Sequence, residues 1–255
     1  MTRPFSAAEA VAAFGDDPSR PDAWIFDRTL PDFAHLADTG PVSAGDRERA
    51  GRLKARPAGA YLLARRAALR RVLALYLSRD PEDVRLITLP GGKPTLVPGP
   101  RDARRLSFST AHSGDLFCLA VGSANSLGVD VEVERTVPRA IAIATRWFSD
   151  EEAEPLRAAA STDSAPEPGS PPEPGSAPEP GSEAFLRLWT AKEALAKRHS
   201  AGLRLLRRGR DELDVAGAVA SRTLVHFVPR AGYVAAVAST TVIDDVRILS
   251  DARLD

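Results

Sequence analysis

Two short stretches of this 255-residue chain place charged side chains at spacings that chemistry can use. Gly128-Val129-Asp130-Val131-Glu132 alternates apolar and acidic residues. On a strand, positions i and i+2 share one face, so Asp130 and Glu132 project together. Two adjacent carboxylates repel, and a hard cation removes that cost. Oxygen-only ligation suits Mg²⁺, which keeps several waters and takes phosphate oxygens as further ligands. A bare D-x-E is equally the solvated acidic face of an edge strand. In Trp189-Thr190-Ala191-Lys192-Glu193-Ala194-Leu195-Ala196-Lys197, the residues Trp189, Glu193 and Lys197 are spaced i, i+4, i+8 and stack along one helical stripe. Trp189 can anchor that stripe and turn Glu193 and Lys197 toward a common space. Taken alone, the Glu-to-Lys spacing is also an ordinary surface pair worth about 0.3–0.5 kcal/mol.

Lysine usage sharpens the second stretch. The chain has four lysines against 30 arginines, and three of the four lie in two motifs: Lys93 in Gly92-Lys93-Pro94, and Lys192 and Lys197 in the helical stretch. Arg is a flat, permanently charged fork, whereas Lys is a compact ammonium that can give up a proton. A site that stays Lys in so Arg-rich a chain is a candidate for chemistry or for tight packing.

Composition bounds the rest. A 44% hydrophobic and 27% charged sequence is that of a globular protein with a sizeable core, in one large domain or two small ones. Zero formal net charge gives no support to general nucleic-acid binding. The single Cys118 lies in the apolar run 116–121 and reads as a small buried hydrophobe. No apolar stretch approaches the ~20 residues of a membrane span, and no signal-peptide core opens the sequence, so the expected compartment is the cytoplasm. Charge is nonetheless uneven: between Arg47 and Arg71 there are nine basic residues and one acidic one, Glu48. That segment fits either a solvated helix face or a phosphate site.

The elements that must position these groups follow from periodicity and turn signals. Residues 1–45 suggest short strands and turns. A helix is expected over 58–78, then strands over 84–88, 106–110 and 116–121, with 111–115 as a turn-rich loop between the last two. A strand over 127–133 carries the acidic pair. Helices are expected from 138 to 147, from near Ser149, and from 185 to 199, followed by closing strands over 224–228 and 233–238. Ser149-Asp150-Glu151-Glu152 has a capping-box pattern, so Glu152 has a purely structural reading. Residues 165–182 repeat a Pro-, Glu- and Ser-rich hexapeptide three times, which cannot bury apolar area and reads as a solvated tether. A faint internal echo links 113–121 to 230–238: a small-residue turn precedes an apolar strand in both.

The stretches GVDVE, FSDEEA and WTAKEALAK, in this order, resemble the 4′-phosphopantetheinyl transferases of the Sfp type. GKP at 92–94, AHSGD at 111–115 and Arg66-Ala67-Ala68-Leu69-Arg70 fit the same pattern, and the resemblance covers roughly residues 43–240. It implies an α/β (α+β) fold of two pseudo-symmetric halves, each an antiparallel sheet packed with helices, with the site in the cleft between them. The halves would be 1–123, on the coenzyme A nucleotide and 3′-phosphate side, and 124–255, with the metal site and catalytic helix, interrupted by an insert at about 161–183. The implied activity moves phosphopantetheine from coenzyme A to a serine of an apo acyl or peptidyl carrier protein, giving holo-carrier and adenosine 3′,5′-bisphosphate. Such a holo-acyl-carrier-protein synthase uses Mg²⁺ and, at this length, would work as a monomer. Two other readings stand beside it: a non-catalytic carrier-protein or nucleotide-binding relative, and a metal-dependent phosphohydrolase of coenzyme A.

Residue by residue, the resemblance implies Asp130, Glu132 and Glu152 as metal ligands, with Glu152 ligating directly, through water, or only capping its helix. Glu193 would be the general base for the incoming serine, directly or through water, and could also help hold the metal. Lys197 would stabilise or protonate the leaving phosphate, Lys192 would sit near the same phosphates, and His112 would contact phosphate. Arg49, Arg52, Arg66 and Lys93 would serve the nucleotide and its 3′-phosphate. The family often has Ser-His where this chain has Ala111-His112. The missing hydroxyl is expected to weaken coenzyme A binding, with loop N–H groups, Thr110 or Ser113 compensating. Deleting 165–182 is expected to leave the core folded; an unaltered far-ultraviolet spectrum and a cooperative melt would show it, and an unfolded product would refute the tether reading.

Overall fold

A computed structural model describes residues 11, 17, 19–89, 92–97, 106–123, 126–162, 181–199 and 213–250. Of the repeat at 165–182, residues 165–180 lie outside them; the tether reading is corrected at its end, where Gly181 caps a helix that opens with the buried Ser182. In chain order the elements are β1 (Asp22–Asp27), α1 (Pro31–Thr39), α2 (Ala44–Gly51), α3 (Arg56–Leu77), β2 (Leu86–Thr88), β3 (Pro94–Leu96), β4 (Ser107–Ser113), β5 (Leu116–Gly122), β6 (Leu127–Val133), α4 (Ala140–Trp147), α5 (Asp150–Thr162), α6 (Ser182–Arg198), α7 (Val215–Ala220), β7 (Leu224–Phe227), β8 (Tyr233–Ser239) and β9 (Arg247–Ser250). None of the described helices is long and apolar enough to cross a membrane.

Strand order gives one sheet β4-β5-β1-β9, one sheet β6-β8-β7 and the hairpin β2-β3. All pairings are antiparallel except β1 with β9. The fold is the mixed α and β architecture expected. Alternation along the strands builds the layers. Trp24, Phe26, Phe117, Leu119 and Val121 face α1 and α3, where they meet Phe33, Leu69, Val72 and Leu73. The opposite face of that sheet, Ala23, Ile25, Cys118 and Ala120, packs on Val129, Val131, Ala235 and Val237 of the second sheet. Ala236 and Ala238 on the far side of β8 meet Ala194 and Leu195 of α6. Small residues stand where backbones approach; large aromatics fill the wider space under α3.

The echo between 113–121 and 230–238 has a structural counterpart. β5 and β8 are the central strands of their sheets, and each follows a glycine with positive φ, Gly114 at 52° and Gly232 at 80°. The two turns touch: the Asp115 N–H donates to Tyr233 Oη at 3.1 Å.

Several local expectations are corrected. Residues 31–39 are helical, with Phe33 buried in the first core. His112 and Ser113 are not in a loop, because β4 continues through them and only Gly114 and Asp115 turn. The last strand returns to the first sheet, where Arg247 donates to the buried Asp22 carboxylate at 2.7 and 2.8 Å.

One feature joins the two sheets. β6 is an edge strand, and its outward N–H groups are received by serine hydroxyls of β4: Leu127 by Ser107 (3.0 Å), Val129 by Ser109 (3.1 Å) and Val133 by Ser113 (3.2 Å). The offset is constant at 20 residues, so β4 and β6 run the same way and side-chain oxygens take the place of a partner strand's carbonyls. Ala111 occupies the remaining position of this ladder, opposite Val131, and is buried with it. Its missing hydroxyl therefore concerns the joint between sheets; it lies on the face of β4 opposite to His112. Ala111→Ser should stabilise the fold by about 0.5–1.5 kcal/mol by giving the Val131 N–H an acceptor. Urea unfolding would read this as a raised midpoint, and a lowered midpoint would contradict the ladder.

Candidate active site

α6 brings the second motif onto the first. Its anchor behaves as the spacing predicts: Trp189 stacks on Phe185, with ring centroids 5.8 Å apart, and meets Phe148 at 6.3 Å. Two turns further on, the same stripe faces β6. The approach is closest at Gly128, where an added Cβ would fall 1.9 Å from the Ala194 carbonyl oxygen and 2.5 Å from the Arg198 nitrogen. Only glycine permits that spacing, and because of it Lys197 Nζ reaches Asp130 Oδ1 at 2.7 Å. Glu193 Oε2 lies 3.6 Å from the same ammonium.

Asp130 is 6% exposed, and its second oxygen, Oδ2, is buried without a hydrogen-bond partner. Burial pushes its carboxyl up to about 7; Lys197 opposes this, while Glu193 and Glu132 add to it. For Lys197, burial works to lower the ammonium, but Asp130 and Glu193 outweigh it and hold the group above its ordinary value. Lys197 thus stays charged, while burial beside Glu193 and Glu132 holds the Asp130 carboxyl above the ordinary carboxylate range despite that ammonium. Glu132 Oε2 accepts from Ser113 Oγ at 2.7 Å and from Arg135 at 3.0 Å.

A cationic cluster gathers around Tyr61. Tyr61 of α3 lies beneath two guanidinium groups, Arg65 at 4.8 Å and Arg28 at 5.6 Å from its ring centroid, and meets His112 edge-on at 5.8 Å. Desolvation, followed by the charges of Arg65, Lys197 and Arg28, lowers the His112 imidazole below its ordinary value, so it is neutral at pH 7. Arg65 Nε and Tyr61 Oη are buried without hydrogen-bond partners.

The structure thus brings together Asp130, Glu132, Glu193, Lys197 and His112, and sets other sequence candidates apart. Lys192 is 1% exposed and binds Glu152 Oε2 at 2.8 Å and the Leu213 carbonyl at 2.7 Å. One residue of helix is a rotation of about 100°, so with Glu193 on the strand Lys192 faces α5. Glu152 also accepts from the Ser149 N–H at 3.0 Å, while Ser149 Oγ accepts from the Glu152 N–H at 3.3 Å: the capping box is formed. These two residues form a buried ion pair outside the Asp130–Lys197 group. Among the described residues no three His, Cys, Asp or Glu side chains cluster as a ready-made metal site.

Of the nucleotide candidates, Arg66 pairs with Asp46 of α2 at 3.4 Å, beside Arg70 at 2.8 Å. Arg52 pairs with Glu48 on the surface, and Arg49 is exposed, close enough for its charge to act on Arg65 and Arg66. Lys93 is spent on two backbone carbonyls. Sequence reasoning missed Arg28, Tyr61 and Arg65. The helical phase of α3 was the available signal, since Tyr61 and Arg65 are i and i+4 and share a face that Arg66 does not.

Acidic groups on β6 and α6 and cationic groups around Tyr61 stand in one two-sheet α+β frame. Comparison with known proteins gives similarities. Residues 126–245 match the family model of the 4′-phosphopantetheinyl transferase superfamily. The chain is 28% identical over 187 residues to a Synechocystis sp. protein provisionally named 4′-phosphopantetheinyl transferase slr0495, covering 72% of this chain and 66% of that protein. It is 30% identical over 152 residues to the Nostoc sp. 4′-phosphopantetheinyl transferase HetI, covering 59% and 54%. The chain thus spans less than two thirds of the length of either relative.

Gly128→Ala should force α6 off β6. An overpacking loss of about 1–3 kcal/mol in urea unfolding is expected, and an unchanged midpoint would show that the close approach is not needed.

Proposed function

We propose that this protein transfers the 4′-phosphopantetheine group of coenzyme A to a serine of an apo carrier protein and releases adenosine 3′,5′-bisphosphate. The observation that carries this reading is the Asp130–Lys197–Glu193 group, with an unpartnered buried oxygen on Asp130, in a chain related to phosphopantetheinyl transferases. That orphaned oxygen, on a carboxyl flanked by Glu132 and Glu193, fits a hard divalent cation such as Mg²⁺. Asp130 and Glu132 would hold it, with Glu193 at hand. When bound, it would neutralise charge on the pyrophosphate.

The chain's own residues supply the rest. A serine hydroxyl attacks the phosphorus that bears pantetheine; a new Oγ–P bond forms as the bond to the bridging pyrophosphate oxygen breaks. Glu193, close to Lys197 and not on a surface face, is placed to take the serine proton. Lys197, kept protonated by its two carboxylates, stabilises or protonates the leaving phosphate. His112, Arg65 and Arg28 line the side on which the nucleotide phosphates would lie. Because both walls come from one chain, a monomer would suffice. A division near 123–127, with cytoplasmic location and an acyl or peptidyl carrier as partner, belongs to the same proposal.

The test is incubation with coenzyme A, Mg²⁺ and a panel of apo-carriers, read by intact mass. Holo-carrier is the expected product; phosphopantetheine released to water would instead make the protein a hydrolase. Asp130→Ala and Lys197→Ala should each reduce transfer by about two orders of magnitude or more while the fold persists. Near-normal carrier modification by either would remove these roles.

A further inference from the structure

Lys93 does something that nucleotide contact does not explain. It follows Gly92, whose φ of 85° turns the chain, and the Leu89 N–H donates to the Lys93 carbonyl at 3.0 Å, closing the β2–β3 hairpin. From there its ammonium reaches across to donate to the Leu127 carbonyl at 2.7 Å and to the Lys197 carbonyl at 2.9 Å. Leu127 opens the acidic strand. Lys197 lies in the last turn of α6, where the helix end is negative and its carbonyl is otherwise reached by the His199 N–H.

The surroundings agree with a mechanical role. At the same corner Ser126 Oγ donates to the Arg198 carbonyl, and Arg198 donates to the Ser239 carbonyl at 2.9 Å. Burial, with the charge of Lys197 adding to it, pushes the Lys93 amine down to about 8, as suits a group withdrawn from water. A compact ammonium with three donors on a thin stem can serve two converging carbonyls, whereas a guanidinium presents its donors in a fixed planar fork. This gives a physical reason for one of four lysines among 30 arginines.

We propose that Lys93 is a positioning residue: by clamping the Leu127 and Lys197 carbonyls, it fixes the distance between the carboxylates of β6 and the Glu193–Lys197 stripe of α6.

Kinetics and a spectrum test this together. With only four lysines, selective ¹³Cε labelling gives a spectrum of four cross-peaks, with exposed Lys54 as internal reference. In Lys93→Met, kcat should fall about ten- to a hundredfold with the KM for coenzyme A within about twofold, and the Lys197 cross-peak should move. Lys93→Arg should behave likewise, because charge alone does not make the clamp. A raised KM with unchanged kcat, or full activity in Lys93→Arg, would instead mark a nucleotide ligand and overturn the proposal. So would a Lys197 cross-peak that stays in place in both variants. Should neither variant fold, the wild-type protein decides: a Lys93 cross-peak displaced from Lys54 supports the clamp, and one coincident with it refutes it. The kinetic arm rests on the transferase reading, whereas the spectrum does not. A wild-type protein inert toward every carrier would sink the transferase reading and leave the clamp to be judged by the Lys197 shift.

Discussion

The outer edge of β6 has no partner strand, and the structure depends on how that edge is satisfied. Buried backbone donors and acceptors cannot be left unpaired without a cost comparable to a lost hydrogen bond. Here three N–H groups are met by serines of β4, and one carbonyl by Lys93. All of these side chains come from the first part of the chain. The strand that carries Asp130 and Glu132 is therefore held by one part of the molecule while its own sheet and helix belong to the other. On its inner flank, Gly128 removes the one side chain that would keep α6 away. Edge and flank together set where the carboxylates stand relative to Lys197.

That placement decides the electrostatics. A carboxylate buried beside two others would be costly were it not for the ammonium at 2.7 Å. Lys197 offsets part of that cost, and Asp130 Oδ2 stays buried without a hydrogen-bond partner. Around Tyr61 the sign reverses, with Arg28, Arg65 and a His112 whose imidazole is held below its ordinary value. Lys192 and Glu152 form a separate buried pair that ties α5 to α6 and to Leu213.

The main elements were legible because local signals were strong. β6 spans 127–133 as alternation predicts, and α6 begins at Ser182, three residues earlier than the pattern alone suggests. The Trp189–Glu193–Lys197 stripe was readable because helical period is a local property. Residues 111–115 were misread because Gly114 and Asp115 signal a turn while Ala111, His112 and Ser113 carry no clear strand pattern. β9 was missed because Arg247-Ile248-Leu249-Ser250 is short, and its pairing with β1 depends on a partner more than 200 residues away.

By itself the sequence determined the motifs: which residues are acidic, which lysines survive among arginines, and which side chains share a strand face or a helical stripe. Those follow from periods of two and 3.6 residues, which act within one element. Only the tertiary structure decided partners. Arg65 lies over Tyr61 while Arg66 is drawn to Asp46, Lys192 turns to Glu152, Lys93 turns to two carbonyls, and Ala111 faces a strand. Each outcome depends on which element lies opposite, and that is fixed by packing between segments distant in sequence.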